Sequence, residues 1–380
     1  MDSKKNTLLY KDYIDKNIIS NKKSYNISAP LHYAGIMAKA IAPLWFFLGN
    51  IESEFYLPKL EKLKIDKPVY VSGLARSGTT ITLELLHESD CFSSFTYQFY
   101  PYVSFPMIWN MLTNKSIGGE TVQRAHLDRI KVSAKSPEAI EEMIWMHFFP
   151  GQTSDPSIPV FMDAQTSNPA FEKFYRNSIK KIMLLGKKDR YLAKGNYNLA
   201  RIPYILKINP DAKFILLIRE PEAHIASLMK QHYLFCKVAN PRVISYMKNI
   251  GHYEFGPHRV PPNYGSYDDA KKIMEAWESG DEILGWSLLW RNTYDFLYRK
   301  IMADKNYESS VHLIRYEELC KTPAEHASMI AEFCGIPLSD SMKGFAETIS
   351  APDYYDSGFS EEEKQRIRDI TEETRSLFYG

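Results

Sequence analysis

The chain has 380 residues, of which 44% are hydrophobic and 24% charged, as in ordinary globular proteins. Its 47 Lys and Arg residues are balanced by 46 Asp and Glu residues, which argues against a nucleic-acid-binding protein because such proteins carry a clear basic excess. With 18 Gly and 21 Pro residues, the composition also argues against a fibrous or disordered chain, and the length fits one large α/β domain or two smaller ones.

Residues 1–62 predict a helical extension packed on the core. Residues 1–30 are polar and rich in Lys and Asn, and we expect them to be loosely packed. The apolar stretch 31–48 is interrupted by Lys39 and Pro43 and is short for a membrane span. It predicts a pair of helices, buried or lying on the surface, with peripheral membrane contact as the alternative.

The cysteines and the N-terminus favour a cytoplasmic protein. None of the four Cys residues has the CxxC spacing of a metal or redox site, which predicts buried, reduced thiols rather than disulfides. The first residues are too polar for a secretory signal peptide. We therefore expect a cytoplasmic location, with membrane association only through the stretch 31–48.

Four apolar runs predict the strands of a parallel sheet: residues 69–72, 191–194, 213–218 and 311–314. Runs that are apolar throughout and separated by helical patterns are typical of a sheet covered on both faces. Helical patterns lie at 79–88, 137–149, 222–236, 281–302, 323–334 and 360–378. The predicted fold class is therefore α/β, with a doubly wound, mostly parallel sheet and a mostly helical insertion at 91–190.

Further along the chain, residues 237–280 contain Gly, Pro and aromatic residues and predict a long loop or lid. The main domain would span residues 63–345, and residues 346–380 would carry a C-terminal helix. Ser360, with Glu363 three residues later, predicts a capping box at the start of that helix.

A glycine loop joins the first predicted strand to the next helix. Gly73 and Gly78 have the spacing of a Walker phosphate-binding loop, but Thr79 stands where that motif has its lysine. Arg76, inside the loop, supplies a positive charge whose planar guanidinium suits a phosphate or sulfate. The loop therefore predicts a P-loop-type anion site that favours a compact terminal anion over a triphosphate with magnesium. The alternative is a turn that only links strand and helix.

A second pattern follows the strand at 213–218. Arg219 comes directly after this strand, where open α/β sheets place ligand groups. Pro221 is suited to begin the next helix, and Ser227 lies two turns into it. Either residue alone has an ordinary structural explanation, but together Arg219 and Ser227 predict a second phosphate site.

The pair of patterns resembles the sulfotransferases. The loop 73–80 resembles the site for the 5′-phosphosulfate of 3′-phosphoadenosine 5′-phosphosulfate (PAPS), and Arg219 with Ser227 resembles the 3′-phosphate site, where Glu220 replaces the usual Asp. Further similarity to a bacterial branch covers about residues 65 to 335, as judged from motif positions, at 124–128, 136–142, 191–201, 227–232 and 251–256. Leu127 and Gly195 depart from that branch.

The resemblance implies transfer of a sulfuryl group from PAPS to a hydroxyl of a carbohydrate, glycolipid or small molecule, with release of the desulfated product PAP. Transfer would be in line, with a general base and no metal. The donor would be held by Arg76, Ser77, Gly78, Thr79, Thr80, Arg219 and Ser227.

The acceptor side offers several catalytic candidates. His126 is the first candidate for the base, and Glu141 and Glu142 are its rivals. Lys194 would neutralise the sulfuryl or bridging oxygens. Each has a plain structural alternative, such as a solvated helix face for the glutamates or an exposed strand end for the lysine. A polar set comprises His224, Gln231, His232, His252, Glu254 and His258, whose members either contact the acceptor or order the loop.

Two other functions remain in competition with sulfuryl transfer. A P-loop kinase is disfavoured by Thr79 and by Arg219, which follows the strand where a magnesium-binding Asp would stand. A non-catalytic nucleotide- or glycan-binding protein would explain Leu127 and Gly195. The aromatic segment 95–109 lines a pocket for a sugar ring or lipid in one interpretation and forms the core of the insertion in the other.

Overall fold

A parallel sheet organises the computed structural model, which describes residues 14, 15, 18, 25–113, 121–126, 130–351 and 357–380. The strands are β1 (Val69–Gly73), β2 (Phe92–Ser93), β3 (Val122–Gln123), β4 (Lys131–Val132), β5 (Arg190–Lys194), β6 (Lys213–Ile218) and β7 (Val311–Arg315). Five of them form the main sheet in the order β2-β5-β1-β6-β7, and every neighbouring pair is parallel. Strands β3 and β4 form a separate antiparallel hairpin.

The main sheet is buried on both faces because its strands are apolar throughout. Tyr70 and Phe214 stack on one face with ring centroids 5.4 Å apart, whereas Val71 and Ile215 belong to a second core on the other face. Side chains alternate between faces along a strand, so a sheet between two helical layers needs continuous apolar runs. The predicted doubly wound α/β fold is confirmed.

The helices, in chain order, are α1 (Ala29–Ala40), α2 (Ala42–Phe55), α3 (Leu57–Leu60), α4 (Thr79–His87), α5 (Pro106–Thr113), α6 (Glu142–Phe148), α7 (Pro169–Gly186), α8 (Ile202–Ile208), α9 (Pro221–Lys237), α10 (Pro241–Asn249), α11 (Tyr267–Glu278), α12 (Glu282–Leu297), α13 (Tyr316–Lys321), α14 (Pro323–Cys334), α15 (Asp340–Ala346) and α16 (Glu361–Tyr379). Short 3-10 turns at Tyr97–Phe99, Asn196–Ala200 and Lys305–Tyr307 and a π turn at Tyr298–Met302 complete these elements. Helices α7, α9, α12 and α16 contribute to the core on one face, and α4, α14 and α15 to the core on the other.

Three sequence predictions are corrected. Residues 237–280 are not a long loop, because Asn240 caps α10 and Ser266 caps α11, and only the segment between these helices is irregular. The insertion at 91–190 is less helical than the predicted mostly helical segment, since it carries β2 and the β3–β4 hairpin besides α5, α6 and α7, and strands of two residues are too short to show a period. The helix predicted from residue 137 begins at Glu142, because Pro137 pairs with Thr96 in an isolated bridge.

Other sequence predictions concern the two ends of the chain and the thiols. The capping box is confirmed, since Ser360 Oγ accepts from the Glu363 N–H at 3.2 Å and the Ser360 N–H donates to the Glu363 carboxylate at 2.7 Å. All four cysteines are free thiols, but the prediction that they are buried holds only for Cys334, since Cys91 and Cys320 are half-buried and Cys236 is exposed. Most of the extension 1–30 lies outside the described residues, as do Leu127 and residues 128, 129 and 352–356.

Helices α1 and α2 form the predicted helix pair and are bent by 84° at Ile41. Among the described residues no single helix is long and apolar enough to cross a membrane, whereas this bent pair meets the test by length and composition. Helix α1 packs against α10, and α2 contacts α5. The pair therefore lies along one side of the insertion.

Candidate active site

The carboxyl ends of three adjacent strands, β5, β1 and β6, place the predicted site residues at one edge of the sheet. The loop after β1 needs its two glycines for close packing. A Cβ at Gly73, whose φ is 155°, would lie 2.6 Å from the Leu217 carbonyl oxygen, and one at Gly78, whose φ is 104°, would lie 2.5 Å from the Tyr316 ring. Because Gly78 begins α4 without a side-chain cap, the first N–H groups of this helix remain available to an anion.

The two predicted phosphate-binding patterns meet at Arg76. The Arg76 Nε donates to Ser227 Oγ on α9 at 3.4 Å, and an Arg219 guanidinium nitrogen donates to the Arg76 carbonyl oxygen at 3.4 Å. Arg76 itself has a φ of 74°, in the left-handed region that non-glycine residues rarely adopt. Two guanidiniums and a hydroxyl therefore converge beside the open end of α4.

The turn after β6 is held by aromatic residues and by the last helix. The Arg219 guanidinium lies 4.8 Å from the centre of the Tyr316 ring, and the Trp290 indole N–H donates to the Arg219 carbonyl oxygen at 3.1 Å. Glu220 accepts two hydrogen bonds of 2.7 Å from the Arg375 guanidinium on α16. The Glu at position 220 thus has a structural partner at the far end of the chain.

Lys194, at the end of β5, connects the loop to the insertion. Its Nζ donates to Thr80 Oγ1 at 3.2 Å and lies 3.0 Å from a Glu138 carboxylate oxygen. Glu138 also accepts from the Tyr97 hydroxyl at 2.5 Å and pairs with Arg124 at 3.4 Å. Although burial raises the pKa of Glu138, the cations Lys194 and Arg124 outweigh burial and hold that pKa well below its usual range. Sequence reasoning missed this role of Glu138.

His126 lies next to this cluster, held by Gln231 of α9. Its Nδ1 lies 3.1 Å from the Gln231 side-chain oxygen, and the Gln231 amide donates to the His126 carbonyl oxygen at 2.8 Å. This arrangement assigns the proton to Nδ1 and leaves Nε2 as an acceptor. Burial, and secondarily the cations Arg124 and Arg76, hold the pKa of His126 well below its usual range, so the ring is neutral.

A second histidine stacks on His126. The ring centroids of His126 and His252 are 5.8 Å apart, with an interplanar angle of 15°. The His252 Nδ1 lies 2.7 Å from a Glu254 carboxylate oxygen, although the ring N–H is not aligned with that oxygen as in a good hydrogen bond. Asn196 donates to the other Glu254 oxygen at 2.6 Å. Burial raises the pKa of Glu254, but the neighbouring His252 ring and the Asn196 amide lower it overall.

The predicted glutamates are buried and paired, so neither forms a solvated helix face. Glu141 accepts hydrogen bonds from the hydroxyls of Tyr175 and Tyr191 and from Asn198, and it does not line the cavity described below. Glu142 does line it, but both of its oxygens accept from the Arg201 guanidinium, at 2.7 and 2.8 Å. Burial raises the pKa of each carboxyl above its usual value.

A cavity of about 380 Å³ joins these groups. Arg76, Thr79 and Thr80 line the end at the glycine loop, and Lys194, His126, His252 and Glu254 also line the cavity. The remaining surface is mostly apolar and comes from α1, the hairpin, α9, α10 and the segments next to α1 and α10: Ile27, Leu31, Val122, Val132, Phe235, Val243, Tyr246, Met247, Ile250 and Phe255.

Other predicted residues have structural roles. Of the aromatic segment 95–109, Tyr97 reaches the cavity whereas Phe95, Phe99 and Phe105 are buried in the core. His224 donates to the Ala75 carbonyl oxygen at 2.8 Å, which supports the loop from behind. Among the described residues no three His, Cys, Asp or Glu side chains are placed to hold a metal ion.

Part of this chain matches a known protein family, and its fold is similar to that of solved structures. Residues 68–253 match the model of the Sulfotransferase family. A sulfotransferase from Mycobacterium avium matches with a TM-score of 0.50 and 14% identity over 86% of this chain and 81% of that chain. At that identity, the match supports the fold and no more.

Two further solved structures are similar at lower scores. A sulfotransferase from Mycobacterium tuberculosis has a TM-score of 0.49 and 14% identity over 85% of this chain and 80% of its own. A mouse sulfotransferase complexed with PAP has a TM-score of 0.36 and 13% identity over 86% of this chain and 93% of its own. No curated protein sequence matches significantly.

Proposed function

Because residues 68–253 match the model of the Sulfotransferase family, we propose that the protein transfers the sulfuryl group of PAPS to a hydroxyl of an acceptor and releases PAP. One observation carries this proposal. Arg76, Arg219 and Ser227 converge beside the uncapped start of α4, which supplies cationic and N–H donors for two separate anionic groups. A donor with a phosphate at each end of its ribose suits such a site.

On the donor side, the loop N–H groups, Arg76 and the hydroxyls of Thr79 and Thr80 would hold the 5′-phosphosulfate. Arg219 and Ser227 would hold the 3′-phosphate. The acceptor oxygen attacks sulfur as the bond from sulfur to the bridging oxygen breaks, and the electron pair stays on the phosphate of PAP. Lys194, which contacts Thr80, is placed to stabilise the charge that develops on that oxygen.

The acceptor proton needs a base, and the geometry favours His252 over His126. Glu254 lies beside the Nδ1 of His252, and a carboxylate there keeps the proton on Nδ1 and stabilises the imidazolium that forms. Within the described part of the chain, the His126 Nδ1 contacts the Gln231 amide oxygen rather than a carboxylate, and the nearby cations oppose its protonation. Glu141 and Glu142 are paired in the core, which leaves them less suited to accept this proton.

Calorimetric titration with PAP, compared with ATP and magnesium, tests the donor site. We expect PAP to bind and Arg219→Ala to weaken it by about 10- to 100-fold, as expected for losing charge-assisted hydrogen bonds. Arg299→Ala, which removes an exposed arginine paired with Asp295, is the matched control and should bind like the wild type. Absence of PAP binding by the folded wild-type protein would refute the proposal. Binding of ATP with magnesium instead would indicate a kinase.

A further inference from the structure

The outer side of the N-terminal helices carries large apolar side chains that a surface helix normally turns inward. On α2 these are Leu44, Phe47, Ile51 and Phe55, spaced as one helical stripe and all exposed. The inward side of α2 carries the polar Glu52 and Ser53, and Glu52 is paired with Lys181 at 2.9 Å in the interior. Only Asn50 and Glu54 interrupt the outer stripe with polar groups.

Neighbouring helices extend this surface. Helix α1 exposes Tyr33, Ile36 and Met37, and α5, tied to α2 by the Ile108 N–H that donates to Glu52 at 2.7 Å, exposes Ile108, Met111 and Leu112. We call these ten residues the outer apolar surface. Among the described residues, most of the exposed large hydrophobic side chains belong to it. Apolar surfaces of this kind mark protein or membrane contacts.

Lysine side chains lie around the outer apolar surface, where their positive charges would attract anionic phospholipid headgroups. Lys39 ends α1, and Lys59 and Lys62 follow α2, all exposed. Glu54, on the same side, is neutralised by Lys173 at 3.1 Å. An apolar face with aromatic side chains and flanking lysines is the pattern of a helix that lies in the headgroup region of a bilayer.

The same helix α1 connects this surface to the cavity. Leu31 of α1 and Ile27, two residues before this helix, line the cavity beside Val243, Met247 and Ile250 of the segment 241–250 that packs against α1. Polar groups that line the same cavity include Thr80, Lys194 and the His252–Glu254 pair. A molecule with one hydroxyl at His252 and an apolar body along α1 suits a cavity with both kinds of lining.

We propose that the protein rests with its outer apolar surface on an anionic phospholipid bilayer and takes an amphiphilic, chain-bearing alcohol from it as sulfuryl acceptor. This inference rests on the proposed function for the identity of the transferred group. The membrane contact and the apolar acceptor site do not depend on PAPS, so they can be tested separately.

Vesicle flotation tests the surface. We expect the wild type to float with vesicles of phosphatidylcholine and phosphatidylglycerol, and Phe47→Gln with Phe55→Gln to reduce the bound fraction about tenfold or more. The matched control, Tyr267→Gln with Met329→Gln, removes two large exposed side chains on α11 and α14 and should float like the wild type. An equal bound fraction for both double variants would overturn the proposal. So would a stable dimer that Phe47→Gln with Phe55→Gln dissociates, since a second copy would then cover this surface.

The acceptor class is tested by titration in the presence of PAP. The ligands are glucose and, below their critical micelle concentrations, hexyl glucoside and octyl glucoside. Affinity should rise by about fourfold per methylene, and Ile250→Asn in the cavity wall should flatten that rise. Glucose that binds as tightly as octyl glucoside would overturn the proposal. Binding of PAP in the same samples reports on the donor site, so loss of sulfuryl-donor function and loss of the apolar acceptor site are distinguished.

Discussion

Arg76 combines two unusual properties at the residue scale. Its backbone lies in the left-handed region, which costs a non-glycine residue free energy, and its carbonyl oxygen accepts from Arg219. The side chain then points to Ser227, at the second predicted phosphate site. The loop therefore places a fixed cation where a Walker loop would use the lysine that Thr79 replaces, and a short guanidinium-lined site suits a compact sulfate-bearing group.

His252 provides the sharpest test of the acceptor side. We expect His252→Gln to lower kcat by about 10²- to 10⁴-fold, because loss of a positioned base has that cost, while PAP affinity stays unchanged. Glu254→Gln should have a smaller effect and shift the pH profile of kcat, since it acts through the ring. His312→Gln, on β7 with its ring stacked on Phe333 and outside the cavity lining, is the control. Full activity in His252→Gln, with loss in His126→Gln, would assign the base to His126.

At the scale of elements, one buried ion pair joins α2 of the N-terminal extension to α5 and α7 of the insertion. Glu52 of α2 pairs with Lys181 of α7 at 2.9 Å, both side chains are fully buried, and the same carboxylate accepts from the first turn of α5. Burial raises the pKa of Glu52, and the charge of Lys181 opposes that rise. The pair lets α2 turn its polar side inward, which leaves its apolar stripe outside.

Removing one partner of this pair should therefore destabilise the fold strongly. Lys181→Met leaves the Glu52 charge buried without its cation, and we expect the free energy of unfolding in urea to fall by about 3–5 kcal/mol. Adding Glu52→Gln should recover part of that loss. Lys173→Met, on the exposed face of the same helix, should cost less than about 1 kcal/mol. Similar losses for Lys173→Met and Lys181→Met would show that the buried pair has no special role.

At the scale of the whole molecule, the end of the chain supports the donor site. Helix α16 packs along α12, and its Arg375 and Tyr379 bond to Glu220 and Glu317 beside the turn after β6. Glu317 in turn accepts from the Glu220 N–H at 3.0 Å. The turn that carries Arg219 is thus oriented by residues about 100 to 160 positions later.

Arg375 is accordingly a positioning residue for the donor. We expect Arg375→Met to weaken PAP binding about three- to tenfold, a modest effect because the ion pair is partly exposed. Calorimetric titration with PAP measures it. Arg368→Met, on the same helix but bonded only to its neighbour Gln365 in the structure, should bind PAP as the wild type does. Equal PAP affinities for both variants would show that α16 does not help to position the donor site.

Local patterns predicted much of the fold and supplied the residues that we propose for the donor half of the site. Strands β1, β5, β6 and β7 were recognisable because continuous apolar runs are needed between two helical layers. Helices α10 and α11 were missed because the surrounding Gly and Pro residues suggested a loop, although Asn240 and Ser266 are ordinary caps. The sequence shows His252 and Glu254 as two polar residues with one residue between them, and this spacing alone does not predict that they pair.

The sequence by itself determined the α/β class, the glycine loop without its lysine and the residues Arg76, Arg219 and Ser227, because strand periodicity and turn chemistry are local properties. Only the tertiary structure decided which side chains meet. Arg76 and Ser227 are 151 positions apart, and the exposure of the apolar stripe on α2 depends on Lys181, 129 positions from Glu52. Such contacts follow from how helices pack on the sheet, since packing and burial are set by elements distant in the chain.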